Sequence, residues 1–405
     1  MLLSGSVASA LTIELDYTYD TNGFFDQAGS KEALRAVADF FEERIHDNLL
    51  EINQNTFGSG NSWSAIFPHP GTGLEQRVAG LIVPEATIIV YVGGRPLGGP
   101  VGWGGPGGWS GSASSQAWFD RVDARGQVGE LADPATDFGP WGGSVTFGSG
   151  KTWHFQLDSR PPMGASDFVS VALHELGHVL GVGTAASWDA QIDGDDLFQG
   201  TRSVESFGAA VPVDGSGGHW QDDGVCGGPL GYNPDNPLNV LSLTYASFGT
   251  AHGGAQIALM DPSSCTITSS TTLKVFTDLD LAALSDIGWN ISQPVSLAGP
   301  VVAATAVTLT WPTTTGQTYT LQRRPDFDTD WGAVTLAESG DGQVMTFTDT
   351  SPPAGQAFYR LVSETPTAPA AAAFFEQFTS EPTWIFEQQT QAPRSVDGCG
   401  RPVAE

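Results

Sequence analysis

The sequence predicts an α+β domain followed by a small all-β sandwich, and three observations carry that prediction. Up to Trp289, segments that alternate apolar and polar residues are interleaved with segments of helical period. Beyond Trp289 the helical period stops, and short alternating runs divided by turn residues take over. The 51 Gly, 26 Pro and 12 Trp of the 405 residues suit a β-rich chain with many turns and long structured loops. A chain of this length is too long for one ordinary core.

Taken in order, "LTIELDYTYD" (11–20) alternates as a half-buried strand does. "SKEALRAVADFFEERIHDNL" (30–49) sets Ala33, Leu34, Val37, Phe40, Phe41 and Ile45 on one helical stripe, with Ser30 as its N-cap. "ATIIVYVGG" (86–94) reads as a buried strand and "GGPVGWGGPGGWSGS" (98–112) as a Gly- and Trp-rich loop. Two extended pieces, 142–148 and 152–158, precede a helix capped by Ser166 or Asp167. That helix runs to about Leu180, with Val169, Ala172, Leu173, Leu176, Val179 and Leu180 on its buried side, and Gly181 and Gly183 stop it. After a long loop region, "TDLDLAALSDIGW" (277–289) is a short helix capped by Thr277 or Asp278. Strand, helix, several strands and a second helix make an α+β layer arrangement.

The domain boundaries follow. Residues 1–10 read as the remnant of a secretory signal peptide, "SVASA" supplying small residues for a cut after Ala10. Residues 11–292 form the α+β domain. Residues 293–364 form a β-sandwich that resembles the fibronectin type III-like accessory modules of secreted bacterial enzymes. Residues 365–405, beginning "TPTAPAAAA", make a disordered tail. No run of about 18 apolar residues offers a membrane span. Lys and Arg total 16 against 45 Asp and Glu; the formal charge of −29 argues against nucleic acid and anionic membrane surfaces as partners. Of three cysteines, Cys226 and Cys265 flank a loop region and are placed to pair in an oxidising compartment, leaving Cys399 in the tail. The expectation is a secreted, extracellular monomer.

The chemistry concentrates in "LHELGHVLGVGTAAS" (173–187). His174 and His178 stand four apart on one helix, so both imidazoles project from one face and reach a single Zn²⁺. Glu175 lies beside the first His, able to take a proton from water on the metal and return it to a leaving amine. A catalytic zinc takes three protein ligands, and Thr184 is a poor third because a neutral hydroxyl binds zinc weakly. Among the seven His, His219 in "GSGGHWQDDG" is the favoured third ligand, since its glycines let the backbone approach a metal. Glu205, His252 and Asp189 are its competitors.

"HELGHVLGVGT", a delayed "GGHW" and then "ALMDP" resemble the metzincin metallopeptidases, in particular their leishmanolysin-like and matrixin-like bacterial branch. The resemblance covers roughly residues 11–292. It implies a metzincin-type catalytic domain, a twisted and mostly parallel sheet with an active-site helix, that hydrolyses peptide bonds of proteins. It makes His174, His178 and His219 the zinc ligands, Glu175 the general base and then acid, Gly181 the turning glycine, and Met260 the residue of a turn beneath the zinc. No tyrosine follows Met260 by two residues, Pro262 standing there, so an additional tyrosine ligand is not indicated.

Weaker patterns remain. "WDAQIDGDD" (188–196) bunches acidic side chains about a Gly, as a Ca²⁺ loop or a solvated turn would. "SSQAWFDRV" (114–122) is the candidate edge strand for pairing with an extended substrate. "DGCGRPV" (397–403) carries a slight similarity to the inhibitory cysteine segment of matrixin propeptides, at the opposite end of the chain. Two functions fit: a secreted zinc metalloendopeptidase acting on proteins or peptides, or a secreted surface- or carbohydrate-binding protein with a structural or degenerate zinc site. A structural site would close the metal with four ligands and would need no Glu beside the first His.

Overall fold

A computed structural model describes residues 11–113, 115–221, 239–242, 254–262, 273–291, 301–303, 306–313, 317–324, 332–340, 343–353, 357–364 and 384–386. Cys226, Cys265, Cys399, His252 and the first ten residues lie outside that set. The chain divides into two compact units, one holding 1–43, 47–289 and 379–405, the other 44–46 and 290–378.

The first unit is mixed α and β. Its main sheet runs in the order β1 (Thr12–Asp16), β4 (Thr87–Arg95), β7 (Gly142–Gly148), β5 (Gly102–Pro106). The first three are parallel, and β5 lies antiparallel on β7 with Gly102 opposite Phe147. A second, antiparallel sheet holds β2 (Ser62–Pro68), β3 (Glu75–Ala79), β6 (Gly108–Ala113) and β21 (Trp384–Phe386). That last strand falls in the stretch expected to be a disordered tail. β4 and β7 are buried almost throughout, as strands covered on both faces must be.

The helices of this unit are α1 (Ser30–Glu42), α2 (Gln54–Phe57), α3 (Gln116–Ala124), α4 (Phe168–Val179), α5 (Ala186–Asp189), α6 (Thr201–Phe207) and α7 (Asp278–Asp286). Short strand pairs join β8 (Trp153–His154) to β9 (Ser166–Asp167), β10 (Leu197–Phe198) to β11 (Val211–Pro212), and β12 (Asn239–Ser242) to β13 (Gly254–Ile257). α1 ends at Glu42, well short of the expected Leu49, because Ile45 bridges to Ile291 instead of continuing the helix. Its N-cap is Gly29 at φ 85°, and Ser30 is the first helical residue, buried, with its hydroxyl on the Gln27 carbonyl at 2.6 Å.

Two expectations are corrected. Residues 114–122 are not an edge strand: Gln116 to Ala124 form α3, whose Trp118, Phe119 and Val122 are buried against Trp63 and Trp109 at helical spacing. The Gly- and Trp-rich stretch 98–112 is not a loop but holds β5 and β6. Strand propensity argues against so many glycines, yet β5 passes so close to α4 that side chains would not fit. A Cβ on Gly104 would lie 2.3 Å from the Glu175 carbonyl oxygen.

The second unit contains two antiparallel sheets. One orders β14 (Val301–Ala303), β15 (Ala306–Pro312) and β19 (Val344–Asp349). The other gathers β17 (Gly332–Ala333), β18 (Glu338–Ser339) and β20 (Phe358–Glu364) on β16 (Thr318–Arg324). Val307, Leu309 and Trp311 of the first share one apolar cluster with Tyr319 and Leu321 of the second. Arg323 donates to Asp349, which also accepts from the Tyr359 hydroxyl at 2.6 Å.

Candidate metal centre

α4 is placed from both ends. At its start the Asp167 carboxylate accepts from the Ser170 amide at 2.9 Å and the Ser170 hydroxyl at 2.6 Å, and Phe168 packs on Phe147 of β7 with ring centroids 4.7 Å apart. Val169, Ala172, Leu173, Leu176 and Val179 are wholly buried, each contributing about 1.5–3 kcal/mol where the side chain is Val or Leu. At its end the chain turns through Gly181 at φ 102° and Gly183 at φ 72°. Thr184, at the place where a compact site would carry its third His, donates its hydroxyl to the His178 carbonyl at 2.7 Å and so caps the helix.

The glycine turn brings a second loop to the helix. The Val213–Trp220 bridge and the Asp214 amide on the His219 carbonyl at 2.9 Å fold residues 213–220 into a tight turn. His219 is thereby set against α4: His178 Nε2 lies 3.1 Å from His174 Nε2 and 3.1 Å from His219 Nε2. His178 and His219 are buried, while His174 stays partly open to solvent. Among the described residues this is the group of three His, Cys, Asp or Glu side chains placed to hold a metal ion. Glu205, exposed on α6, faces Arg202 at 3.4 Å, and Asp189 is exposed on α5. His154 Nε2 meets the Ser159 carbonyl and His69 Nδ1 the Gly71 amide. In the acidic turn, Asp193 accepts from the Asp195 and Leu197 amides.

The donor set fits a zinc ion. His174 Nδ1 faces the Leu259 carbonyl at 3.0 Å and His178 Nδ1 the Val182 carbonyl at 2.8 Å. A carbonyl only accepts, so both rings carry their proton on Nδ1 and turn a bare Nε2 lone pair to the common centre. Lone pairs that face one another at 3.1 Å repel unless a cation lies among them. Tetrahedral zinc with bonds of 2.0–2.1 Å separates its ligands by roughly 3.3 Å. Burial, then the neighbouring imidazoles, hold His174 well below the ordinary histidine range, and burial followed by His219 brings His178 to about 3. Both rings are therefore neutral, as a metal ligand must be.

Glu175 is 7 % exposed, with its carboxylate against β5: a Cβ on Gly102 would sit 2.5 Å from Oε1. Burial pushes its pKa up to about 8, and the Gly104 amide draws it back in part. Met260 lies beneath the helix, fully buried, and its Sδ would be 2.8 Å from a Cβ on Gly177, as would Phe276 Cζ. Thus only Gly at 177 lets this floor approach α4.

A residue the sequence reading passed over ties these parts together. Asp280 on α7 accepts from the Leu259 amide (2.9 Å), the Met260 amide (3.1 Å) and the Trp220 indole (3.0 Å), and forms a capping box with Thr277. One buried carboxylate thus connects the Met260 turn, the neighbour of His219 and the start of α7. Burial raises its pKa, and the hydrogen bonds of Thr277, Leu259 and Met260 oppose the rise. Its sequence signal was the Thr277-x-x-Asp280 spacing, which identifies a cap and nothing further.

Among known proteins, a metalloendoproteinase of Arabidopsis thaliana, 4-MMP, is 37 % identical over 71 residues, 18 % of this chain and 21 % of the relative. The chain therefore spans about a fifth of the length of that relative. No family model and no solved structure matches the chain. No helix among the described residues is long and apolar enough to cross a membrane. The partial likeness and the cluster of three histidines together point toward a zinc metallopeptidase.

Proposed function

We propose that this chain is a secreted zinc metalloendopeptidase of metzincin type, with His174, His178 and His219 as ligands, Glu175 as general base and acid, and Gly181 and Met260 supporting the site. The observation that carries the reading is the convergence of three Nε2 atoms at one point, two of them on the helix that also bears a buried carboxylate. Zinc, when bound there, supplies Lewis acidity toward a carbonyl and toward water.

The chain's own groups do the rest. Glu175 takes a proton from the attacking water and passes it to the nitrogen that leaves, a double duty suited to a carboxyl whose pKa lies near neutrality. β5 has β7 on one side and no strand on the other among the described residues, so its free edge can pair with an extended peptide. This edge takes the role expected of 114–122.

The test is proteolysis of an unfolded protein with and without a chelator. The chelator should stop cleavage by the wild type. Glu175→Ala should bind zinc as the wild type does and lose about 10²–10⁴-fold in activity. Full activity in that variant would sink the proposal.

A further inference from the structure

The three histidines do not share one kind of support. His174 and His178 rise from a helix, and each Nδ1 meets a main-chain carbonyl within hydrogen-bond distance. His219 sits on a turn carrying Gly215, Gly217 and Gly218, where the backbone alone fixes a ring poorly. Its Nδ1 is buried and has no hydrogen-bond partner. Facing it at 3.6 Å is Asp214 Oδ2, also buried and also without a partner. That separation is beyond a hydrogen bond, yet nothing else competes for either atom.

The carboxylate itself is firmly held. Its other oxygen, Oδ1, accepts from the Ser216 amide at 3.1 Å, the Ser216 hydroxyl at 2.6 Å and the Gly218 amide at 3.2 Å. Asp214 therefore has one oxygen that builds the turn and one left for the ring the turn presents. A buried polar atom without a partner is costly, and here each unpaired atom is the natural partner of the other.

We propose that Asp214 is the positioning residue of the third ligand: its Oδ2 accepts the Nδ1 proton of His219, fixes the tautomer that leaves Nε2 bare, and holds the ring toward the metal. This rests on the reading of the three histidines as zinc ligands. A carboxylate behind an imidazole also makes the imidazole a stronger donor. The arrangement answers a need of this chain in particular, whose third ligand arrives on a separate turn instead of the stretch next to α4.

The experiment measures zinc affinity by competition with a chromophoric chelator, together with the visible spectrum of the Co²⁺-loaded protein. The proteins are the wild type, Asp214→Asn, His219→Ala and the double variant. Asp214→Asn keeps an oxygen for the Ser216 and Gly218 amides but replaces the acceptor facing Nδ1. It should weaken zinc binding about 10- to 100-fold, change the Co²⁺ spectrum and leave the melting temperature of the metal-free protein nearly unaltered. Once His219 is Ala, the Asp214 change should weaken binding no further.

Wild-type affinity in Asp214→Asn, beside a loss in His219→Ala, would overturn the role of Asp214 and leave the ligand reading standing. An equal loss in the presence and absence of the His219 imidazole would overturn it too, since Asp214 would then act through the fold. Zinc binding that His219→Ala does not disturb would overturn the ligand reading itself, and this proposal with it. Should Asp214→Asn fail to fold, Asp214→Glu serves, because it keeps a carboxylate: affinity near the wild type is expected, and a loss as large as that of His219→Ala would overturn the proposal.

Discussion

Gly183 holds φ 72°, and a Cβ on it would lie 1.9 Å from the Gly218 carbonyl oxygen. Two segments distant in sequence meet there at main-chain contact, and the residue after Gly218 is His219. Gly183→Ala must therefore either strain the backbone, at about 1–3 kcal/mol, or push the 213–220 turn away from α4. We expect a lower midpoint in denaturant unfolding and a loss of bound zinc; unchanged zinc stoichiometry would show that the turn has room to spare. Thr184 gives the contrasting result. Its hydroxyl donates to the His178 carbonyl, so Thr184→Val should cost about 1 kcal/mol of stability while zinc binding in the chelator competition stays at the wild-type level.

Between elements, the site depends on contacts that no local pattern encodes. The glycines of β5 look like loop residues until α4 is set against them, when the 2.5 Å approach to Glu175 accounts for Gly102. The aromatic residues of 116–124 serve a strand or a helix equally, and burial against Trp63 and Trp109 selects the helix. α7 gives the sharpest case. Removing the Asp280 carboxylate leaves the Leu259 and Met260 amides and the Trp220 indole short of an acceptor in the core. Asp280→Ala should cost on the order of 3–5 kcal/mol, combining a lost cap of about 1 kcal/mol with unsatisfied donors at about 1–3 kcal/mol each, partly relieved by relaxation. Chemical denaturation measures it, and a loss under 1 kcal/mol would mean that water replaces the carboxylate.

For the whole molecule, the pH dependence of stability carries a signature of buried acid. Glu130 is pushed up to about 8, first by burial and then by Asp123 and Asp137, although the Gly139 amide pulls it back. Asp137 is raised to about 6, again chiefly by burial. A carboxyl raised in the folded state holds its proton there more tightly than in the unfolded chain, whose value is near 4.5 for Glu. Its contribution is complete below that value and disappears as pH rises through about 8. Buried His174 and His178, held below the ordinary histidine value of 6.5, oppose this trend at lower pH. The melting temperature should therefore fall from pH 6.5 to pH 8, and Glu130→Gln should flatten that fall, with its advantage over the wild type growing toward pH 8. An equal difference at both pH values would remove Glu130 as the cause. The net charge of −29 pushes the same way, and added salt should relieve that part alone, because it is surface charge that salt screens.

The sequence by itself determined what repeats locally. His174, Glu175 and His178 declare one helix face through their spacing, the apolar stripe of α4 and its Asp167 cap mark the same helix, an alternating run gives β1, and a continuous apolar run and an extended piece give β4 and β7. What only the tertiary structure decided is which distant residues share the site. The turn that presents His219, the carboxylate of Asp214 behind it, the Asp280 network and the glycine edge of β5 each owe their identity to a neighbour far along the chain. Periodicity reports the side a residue faces within its own element. A buried hydrogen bond or a main-chain approach closer than a Cβ allows exists only between elements, and its sequence trace is a single Asp or Gly with no period to reveal it.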